Sequence, residues 1–315
     1  MKEIGGYFGL EQFPEKEYHA SSMRLNNARN ALLYILRARN IKKLYIPAYL
    51  CDSVANMLRR YGYEWEYYSI GGDFHPRFVG TLDEHSYLYI VNYYGQLSNQ
   101  ILADLKNRYK YIIVDNVQAF FQCPLTGVDT IYSCRKFFGV PDGAYLSTSA
   151  MLPQPLEEDV SRDRMTHILG RFETEASAFY ADFKKSDQAC AESELRHMSR
   201  LTRNLLGAID YDAARRSRNR NYAQLAAAFG DRNPLVLTAP DGPYCYPLYC
   251  KNGMEIKKYL AAKKIYVPTL WPNVLELEGT LEQDYARNIL PLPCDQRYGQ
   301  EDMERMITEV LGCIG

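Results

Sequence analysis

The chain has 315 residues, 47% of them hydrophobic and 24% charged, with a formal net charge of −1; that is globular composition with enough length for a substantial core and two domains. The flat charge balance removes the electrostatic case for a nucleic-acid or anionic-membrane partner. No apolar run approaches the ~20 residues that span a bilayer, and the opening MKEIGGYFGLEQF has no apolar leader core, so a cytoplasmic protein is expected.

The eight cysteines, at 51, 123, 134, 190, 245, 250, 294 and 313, are scattered without a C-x-x-C pair. The five histidines are equally isolated. Reduced, buried thiols and no metal site follow from that spacing.

Taken in chain order, residues 23–40 read as a helix, with apolar positions at 28, 31, 32, 35 and 36. KKLYIPAYL is a strand stopped at Pro47, and CDSVANMLRRYG a helix closed by Gly62. YEWEYYSI reads as a strand. SYLYIVNYYG (86–95) reads as a buried strand ending in glycine, and NQILADLKNRY as a helix. Three further strands are YIIV ending at Asp115, DTIYSC, and GAYLST. Strands alternating with helices, with near-continuous apolar strands, predict a mainly parallel sheet covered on both faces. From about 151 charged helical patterns take over. ELRHMSRLTRNLLGAIDY places Leu195, Met198, Leu201, Leu205 and Ile209 on one stripe. AARRSRNRNYAQLAAAFG is a second long helix whose arginines suit a solvated face. Mixed strand and helix signals follow from 235. The expected organisation is an α/β domain over 1–212 and a smaller α+β domain over 213–315.

Ligands in open α/β sheets bind beyond the carboxyl ends of the strands. Three such ends carry polar residues: Asn92–Gly95, Asp115, and Ser133 followed by Lys136 within SCRKFFGVPDGAYL. A lysine between apolar residues and a tight turn needs a partner, neutrality or a covalent use. A structural ion pair with Asp115 is one answer.

The stretches LNNARNALLYIL, IPAYLCDSV, VNYYGQ, IIVDNVQAFF, SCRKFFGVPDGAYL, AARRSRNRNYAQL and LPLPCDQRYGQEDMERMITEVL together supply the other. The chain resembles, nearly end to end, the fold-type I pyridoxal-phosphate (PLP) enzymes and in particular the DegT/StrS-type sugar aminotransferases. Asp-x-x-Gln with Ser-x-x-Lys is the specific part. The resemblance implies a catalytic Lys136 that forms a Schiff base with the PLP aldehyde and shuttles a proton when released. It assigns Asp115 to the pyridine nitrogen, Gln118 to the phenolic oxygen and Ser133 to the phosphate. The phosphate also calls for a helix N-terminus. There the family carries Gly-Thr and this chain has Ala28 and Arg29. At the ring face, where relatives place an aromatic residue, it has Cys51, with Tyr49 two residues earlier. The serine–lysine spacing is shorter than is common in the family, and the region after 150 is trimmed.

By resemblance, the expected function is transfer of an amino group from glutamate to a nucleotide-linked keto-sugar, in a surface-polysaccharide setting. The expected assembly is a homodimer whose site is completed by the partner, with Arg171, Arg203 and Asn204 in the right region to cross over. The retained lysine argues against the related dehydratases, in which histidine replaces it. Two other readings stand beside transamination: a PLP lyase or desulfurase using Cys51 or Cys134, and a non-catalytic PLP-fold protein used for binding or regulation.

Overall fold

The computed structural model describes residues 4–14 and 16–314; positions 1–3, at the start of the stretch read for a leader, lie outside them. The first half lays down β1 (Met23–Leu25), α1 (Ala28–Ala38), β2 (Lys43–Pro47), α2 (Asp52–Arg60), β3 (Glu64–Ile70), β4 (Pro76–Arg77) and β5 (Ser86–Val91). It continues through α3 (Asn99–Tyr109), β6 (Ile112–Asp115), β7 (Asp129–Ser133) and β8 (Ala144–Ser147). These strands form one sheet in the order β1-β8-β7-β6-β5-β2-β3-β4. The central pairs β7–β6, β6–β5, β5–β2 and β2–β3 are parallel. The pairs toward the edges, β4 on β3, β8 on β7 and β1 on β8, are antiparallel. Leu88, Ile90, Ile112, Ile113 and Val114 are buried, as parallel strands covered on both faces require. The sheet is the mainly parallel one the alternation predicts.

Three elements depart from the sequence reading. Residues 23–40 are not one helix. Met23–Leu25 pairs with β8 as an edge strand, and Asn27 then caps α1, its side chain accepting from the Asn30 N–H at 2.9 Å. An asparagine ahead of the periodic residues is the capping signal that marks this start. The strand within 86–95 stops at Val91, and Tyr93–Gly95 forms a short 3-10 turn. The helix within 194–211 is confined to α6 (Arg200–Gly207). Ser199 caps it by accepting from the Thr202 N–H, while the preceding residues run extended and bridge to Leu25 through His197. Leu195 and Met198 are buried from that extended stretch, and α6 buries Thr202, Leu206 and Gly207 instead of a Leu201–Leu205 stripe.

The second half contains α4 (Thr166–Glu173), α5 (Tyr180–Glu192), α6 (Arg200–Gly207), α7 (Tyr211–Phe229), β9 (Cys245–Tyr249), α8 (Gly253–Ala262), α9 (Leu281–Asn288), β10 (Ile289–Pro293) and α10 (Gln300–Ile314). β9 and β10 make a small antiparallel sheet. Its apolar residues join Ile256, Leu260, Met303, Met306 and Val310 in a core of their own. α7 serves two cores. Tyr211 and Ala214 pack with Phe137 and Phe138 beside the lysine, while Tyr222, Leu225 and Phe229 pack with the small sheet. Trp271, Val274 and Tyr285 return to the main core and tie the small sheet's layer to the large one.

All eight cysteines are free thiols; five are buried, Cys51 and Cys313 are half-buried and Cys123 is exposed. Much of the tyrosine content is structural. Tyr49, Tyr89, Tyr93, Tyr94, Tyr132 and Tyr145 are fully buried, each with a hydroxyl partner such as Tyr93 to the Tyr49 carbonyl at 2.5 Å. No helix of the described residues is long and apolar enough to cross a membrane.

Candidate active site

Asp115 ends β6, between β5 and β7 in the middle of the parallel strands. It is 4% exposed. Its Oδ2 accepts from the Tyr89 hydroxyl at 2.5 Å and its Oδ1 from the Val117 N–H at 2.8 Å. Burial pushes this carboxyl above its ordinary range, opposed by the positive charge of Lys136 and by those two hydrogen bonds.

Gln118, three residues on, is 1% exposed. Its Oε1 accepts from the Tyr94 N–H at 2.8 Å, which fixes the amide orientation and leaves Nε2 as a buried donor without a partner. Buried donors of this kind are uncommon in folded proteins.

Ser133 ends β7, and the chain then makes a helical turn in which the Phe137 and Phe138 N–H groups both bond the Cys134 carbonyl. Phe137 and Phe138 anchor that turn in an aromatic core, while Lys136 projects to solvent. Protein is nonetheless dense enough around it that lost solvation is the largest influence on its amine. That loss lowers the pKa against the pull of Asp115. Lys136 makes no hydrogen bond or ion pair among the described residues, so it is not clamped to Asp115. Its Nζ lies 5.7 Å from the centroid of Tyr244.

The Gly-Val-Pro-Asp-Gly turn is fastened from below. Asp142 is fully buried, and its carboxylate accepts from the Ser199 N–H at 2.9 Å, the Ser199 hydroxyl at 2.8 Å and the Thr202 hydroxyl at the N-terminus of α6. Gly143 has φ +113°, and a Cβ there would sit 3.0 Å from the Thr202 methyl. The Gly143 carbonyl receives the Cys134 N–H, and its own N–H reaches the Asn26 carbonyl at 2.6 Å. That last bond brings the start of α1 against the lysine segment. There the backbone N–H groups of Ala28 and Arg29 have no partner among the described residues, as the first turn of a helix leaves them. The half-buried Arg29 guanidinium and the Ser133 hydroxyl are equally unpartnered.

Cys51 occupies the N-cap position of α2, half-buried, its Sγ 3.5 Å from Asp52 Oδ1, and near enough to Lys136 to act on its charge. Tyr49 has no exposed surface; its ring packs on Tyr93 and Trp271 and its hydroxyl lies 3.1 Å from that of Tyr94. Asn204 is engaged within its own chain, bonding the backbone of Glu11 and Phe13. The Arg203 guanidinium lies 3.8 Å from Glu17, and Arg171 is exposed. A cavity of about 450 Å³ along α7, lined by Asn219, Tyr222, Ala226 and Pro240, involves none of the residues around Lys136. Sequence reasoning overlooked Tyr89, Asp142 and Tyr244. Tyr89 stood in the SYLYIVNYYG strand and Asp142 in the lysine turn, but neither was given a role.

The arrangement fits PLP on its own chemistry. A buried carboxylate suits a pyridinium, an orphaned amide N–H suits a phenolate, and free N–H groups with a hydroxyl and a guanidinium suit a phosphate. No protein-family model matches the sequence, and no curated protein does. Solved structures do. An aminotransferase of the DegT/DnrJ/EryC1/StrS type from Brucella abortus matches with a TM-score of 0.63 at 17% identity, over 93% of this chain and 86% of that one. DesV from S. venezuelae, solved with a ketimine intermediate, matches at 0.63 and 16%, over 92% and 83%. NtdA from Bacillus subtilis, solved with bound PMP, matches at 0.64 and 13%, over 96% and 78%. The chain thus has the fold-type I architecture of PLP-dependent aminotransferases, matching these solved structures along more than nine-tenths of its length.

Proposed function

We propose that this protein is a PLP-dependent aminotransferase that moves an amino group from glutamate to a nucleotide-linked keto-sugar. The observation that carries the reading is the pairing of an unclamped, pKa-lowered Lys136 with a buried Asp115 at the neighbouring strand end. PLP, when bound, supplies an electron sink for the substrate carbon that loses its proton. The chain's residues then have defined tasks. Lys136 offers an amine whose pKa is lowered by lost solvation, which favours the neutral form needed to hold the cofactor's aldehyde and to take and return a proton. Asp115 holds a proton on the ring nitrogen. Gln118 Nε2 donates to the phenolic oxygen. Ser133, Arg29 and the N–H groups of Ala28 and Arg29 bind the phosphate, so that arginine and backbone replace the close glycine approach. Cys51 would cover the cofactor's ring, and Tyr49 would support that wall from within the core.

The sugar-nucleotide acceptor rests on the structural likeness to sugar aminotransferases, and a homodimer completing the site belongs to the same proposal. Cys51 favours desulfuration less than transamination, because it sits on a helix cap beside Asp52 and not on a mobile loop.

The test is a visible absorption spectrum of the protein with PLP, before and after glutamate, alongside Lys136→Ala. A lysine-dependent band that bleaches with glutamate supports transamination. A band indifferent to every amino acid tested points to the binding-protein or lyase readings. Absence of any lysine-dependent band removes the proposal.

A further inference from the structure

Asp115 is held by a residue that the site's assignment does not use. Tyr89 lies on β5, whose register places Val91 opposite Asp115 in the parallel ladder. Tyr89 is 2% exposed. Its hydroxyl has one partner, Asp115 Oδ2 at 2.5 Å. Its backbone carbonyl receives the Tyr68 hydroxyl at 2.7 Å from β3, which holds this stretch of β5 in place.

We propose that Tyr89 is a positioning residue that keeps the buried Asp115 ionised, so that a ring-nitrogen proton stays on the cofactor and does not pass to the carboxyl. The proposal rests on the PLP reading above and deepens it.

Competing forces act on the Asp115 carboxyl. Burial alone drives a carboxyl toward its neutral form. Three things act the other way here: the charge of Lys136, the Val117 N–H and the Tyr89 O–H. The first is altered whenever the lysine amine becomes neutral or is covalently engaged. The second is backbone and constant. Tyr89 is the side-chain donor aimed at the carboxylate, and a hydrogen bond to the charged form is the stronger kind. Tyr89 does not itself compete for the negative charge, since its own burial pushes the phenol well above its ordinary pKa. The titratable groups that act on Asp115 or that it acts on are Lys136, Tyr89, Tyr68 and Tyr93. The two further phenols are likewise raised well above their ordinary range by burial. Of the four, Lys136 is the cation, and it makes no direct contact with the carboxylate. When a pyridine nitrogen and a carboxyl share one proton, a donor on the carboxyl moves that proton toward the nitrogen.

Tyr89→Phe removes the donor and keeps the ring's packing. Two measurements read it. The first uses the cofactor-free protein: urea unfolding of wild type and Tyr89→Phe at pH 7 and pH 4, repeated in an Asp115→Asn background. The variant should unfold about 10-fold more readily at pH 7, where the lost donor leaves a buried charge less satisfied. The difference should shrink at pH 4 and lose its pH dependence in Asp115→Asn. The second compares affinity for PLP with affinity for its 1-deaza analogue, in which CH replaces the ring nitrogen. Tyr89→Phe should weaken PLP binding about 10-fold and change analogue binding by no more than about twofold. Equal effects on both ligands, or a destabilisation independent of pH, reduce Tyr89 to a packing residue and overturn the proposal. Wild type that forms no Lys136-dependent band with PLP would instead remove the functional reading. In that case the cofactor-free titration still reports the Tyr89–Asp115 coupling, but its role toward a ring nitrogen falls with the cofactor.

Discussion

The guanidinium of Arg218, in the middle of α7, lies 4.4 Å from the ring centroid of Phe137 and donates to that residue's carbonyl at 3.3 Å. Gln296, beyond β10, donates to the same carbonyl at 2.8 Å, and Arg218 Nε in turn donates to Gln296 Oε1 at 2.7 Å. A third bond runs from Arg218 to the Pro243 carbonyl at 2.8 Å, just before Tyr244. The residue after the lysine is thereby gripped by the helix that serves both cores and by the segment following the small sheet.

Arg218 is 1% exposed and makes no ion pair among the described residues, so its charge is satisfied by these acceptors. Arg218→Met should lower stability by about 3 kcal/mol, the scale expected when buried hydrogen bonds to a charged group are lost and their acceptors stranded. A fall in the urea midpoint at unchanged slope would register it. Arg218→Lys should not restore the midpoint. A lysine presents no planar fork to span three acceptors.

Lys136 invites the opposite expectation. It is exposed and makes no hydrogen bond. Lys136→Ala should leave stability within about 0.5 kcal/mol of wild type, a shift of about 2 °C or less in the melting temperature. The same substitution should abolish the visible band formed with PLP. Joint loss of fold and band would instead mark the lysine as a structural partner of Asp115.

How much of this was legible in the sequence varies with the physics of each element. Buried parallel strands announce themselves, because Ile112, Ile113 and Val114 must be apolar on both faces, and the Asp at their end was a visible exception. Edge strands do not. Met23–Leu25 was absorbed into a helical period because three residues pairing at a sheet edge carry no period of their own. The extended run before α6 was missed for a similar reason: Leu195 and Met198 fit a helical stripe by spacing, but their burial comes from tertiary bridges to Arg24 and Leu25. Lys136, Asp115, Gln118 and Ser133, the proposed site residues, stand out in the sequence as a spaced motif. Tyr89 does not, because an inward tyrosine on a buried strand looks like any core aromatic until the register with β6 aims its hydroxyl at a carboxylate.

Gly143 offers a test of the lysine turn itself. At φ +113° a side chain strains the backbone, and the new Cβ would press on Thr202 at 3.0 Å and on Cys134 at 3.2 Å. Gly143→Ala should destabilise the protein by about 1–3 kcal/mol. It should also weaken PLP binding, since Cys134, the Asn26 carbonyl and the start of α1 are all tied to this residue. Separate urea and PLP titrations distinguish the two effects. Wild-type values in both would mean that the turn tolerates a side chain, and that its glycine is not what fixes the lysine.

His19 supplies a pH dependence with a definite sign. The ring is buried, stacks on Tyr132 at 4.0 Å and bonds the Phe120 carbonyl at 2.7 Å. Burial lowers its pKa from 6.5 to about 4, with the carbonyl bond opposing. A folded-state pKa below the unfolded value means that the native state resists protonation. The stability contributed by neutral His19 is therefore complete above pH 6.5, declines as the pH falls from there, and is gone below about 4. The shift corresponds to about 3 kcal/mol at the acid end. Urea midpoints of wild type should fall between pH 7 and pH 4 by more than those of His19→Gln, which cannot take up the proton. The neutral-pH loss from the altered stacking is common to both ends of the titration and drops out of the comparison. Parallel midpoint curves for the two proteins would show that His19 titrates normally in the native state, and that the pocket formed by Phe120, Tyr132 and Tyr145 admits its charge.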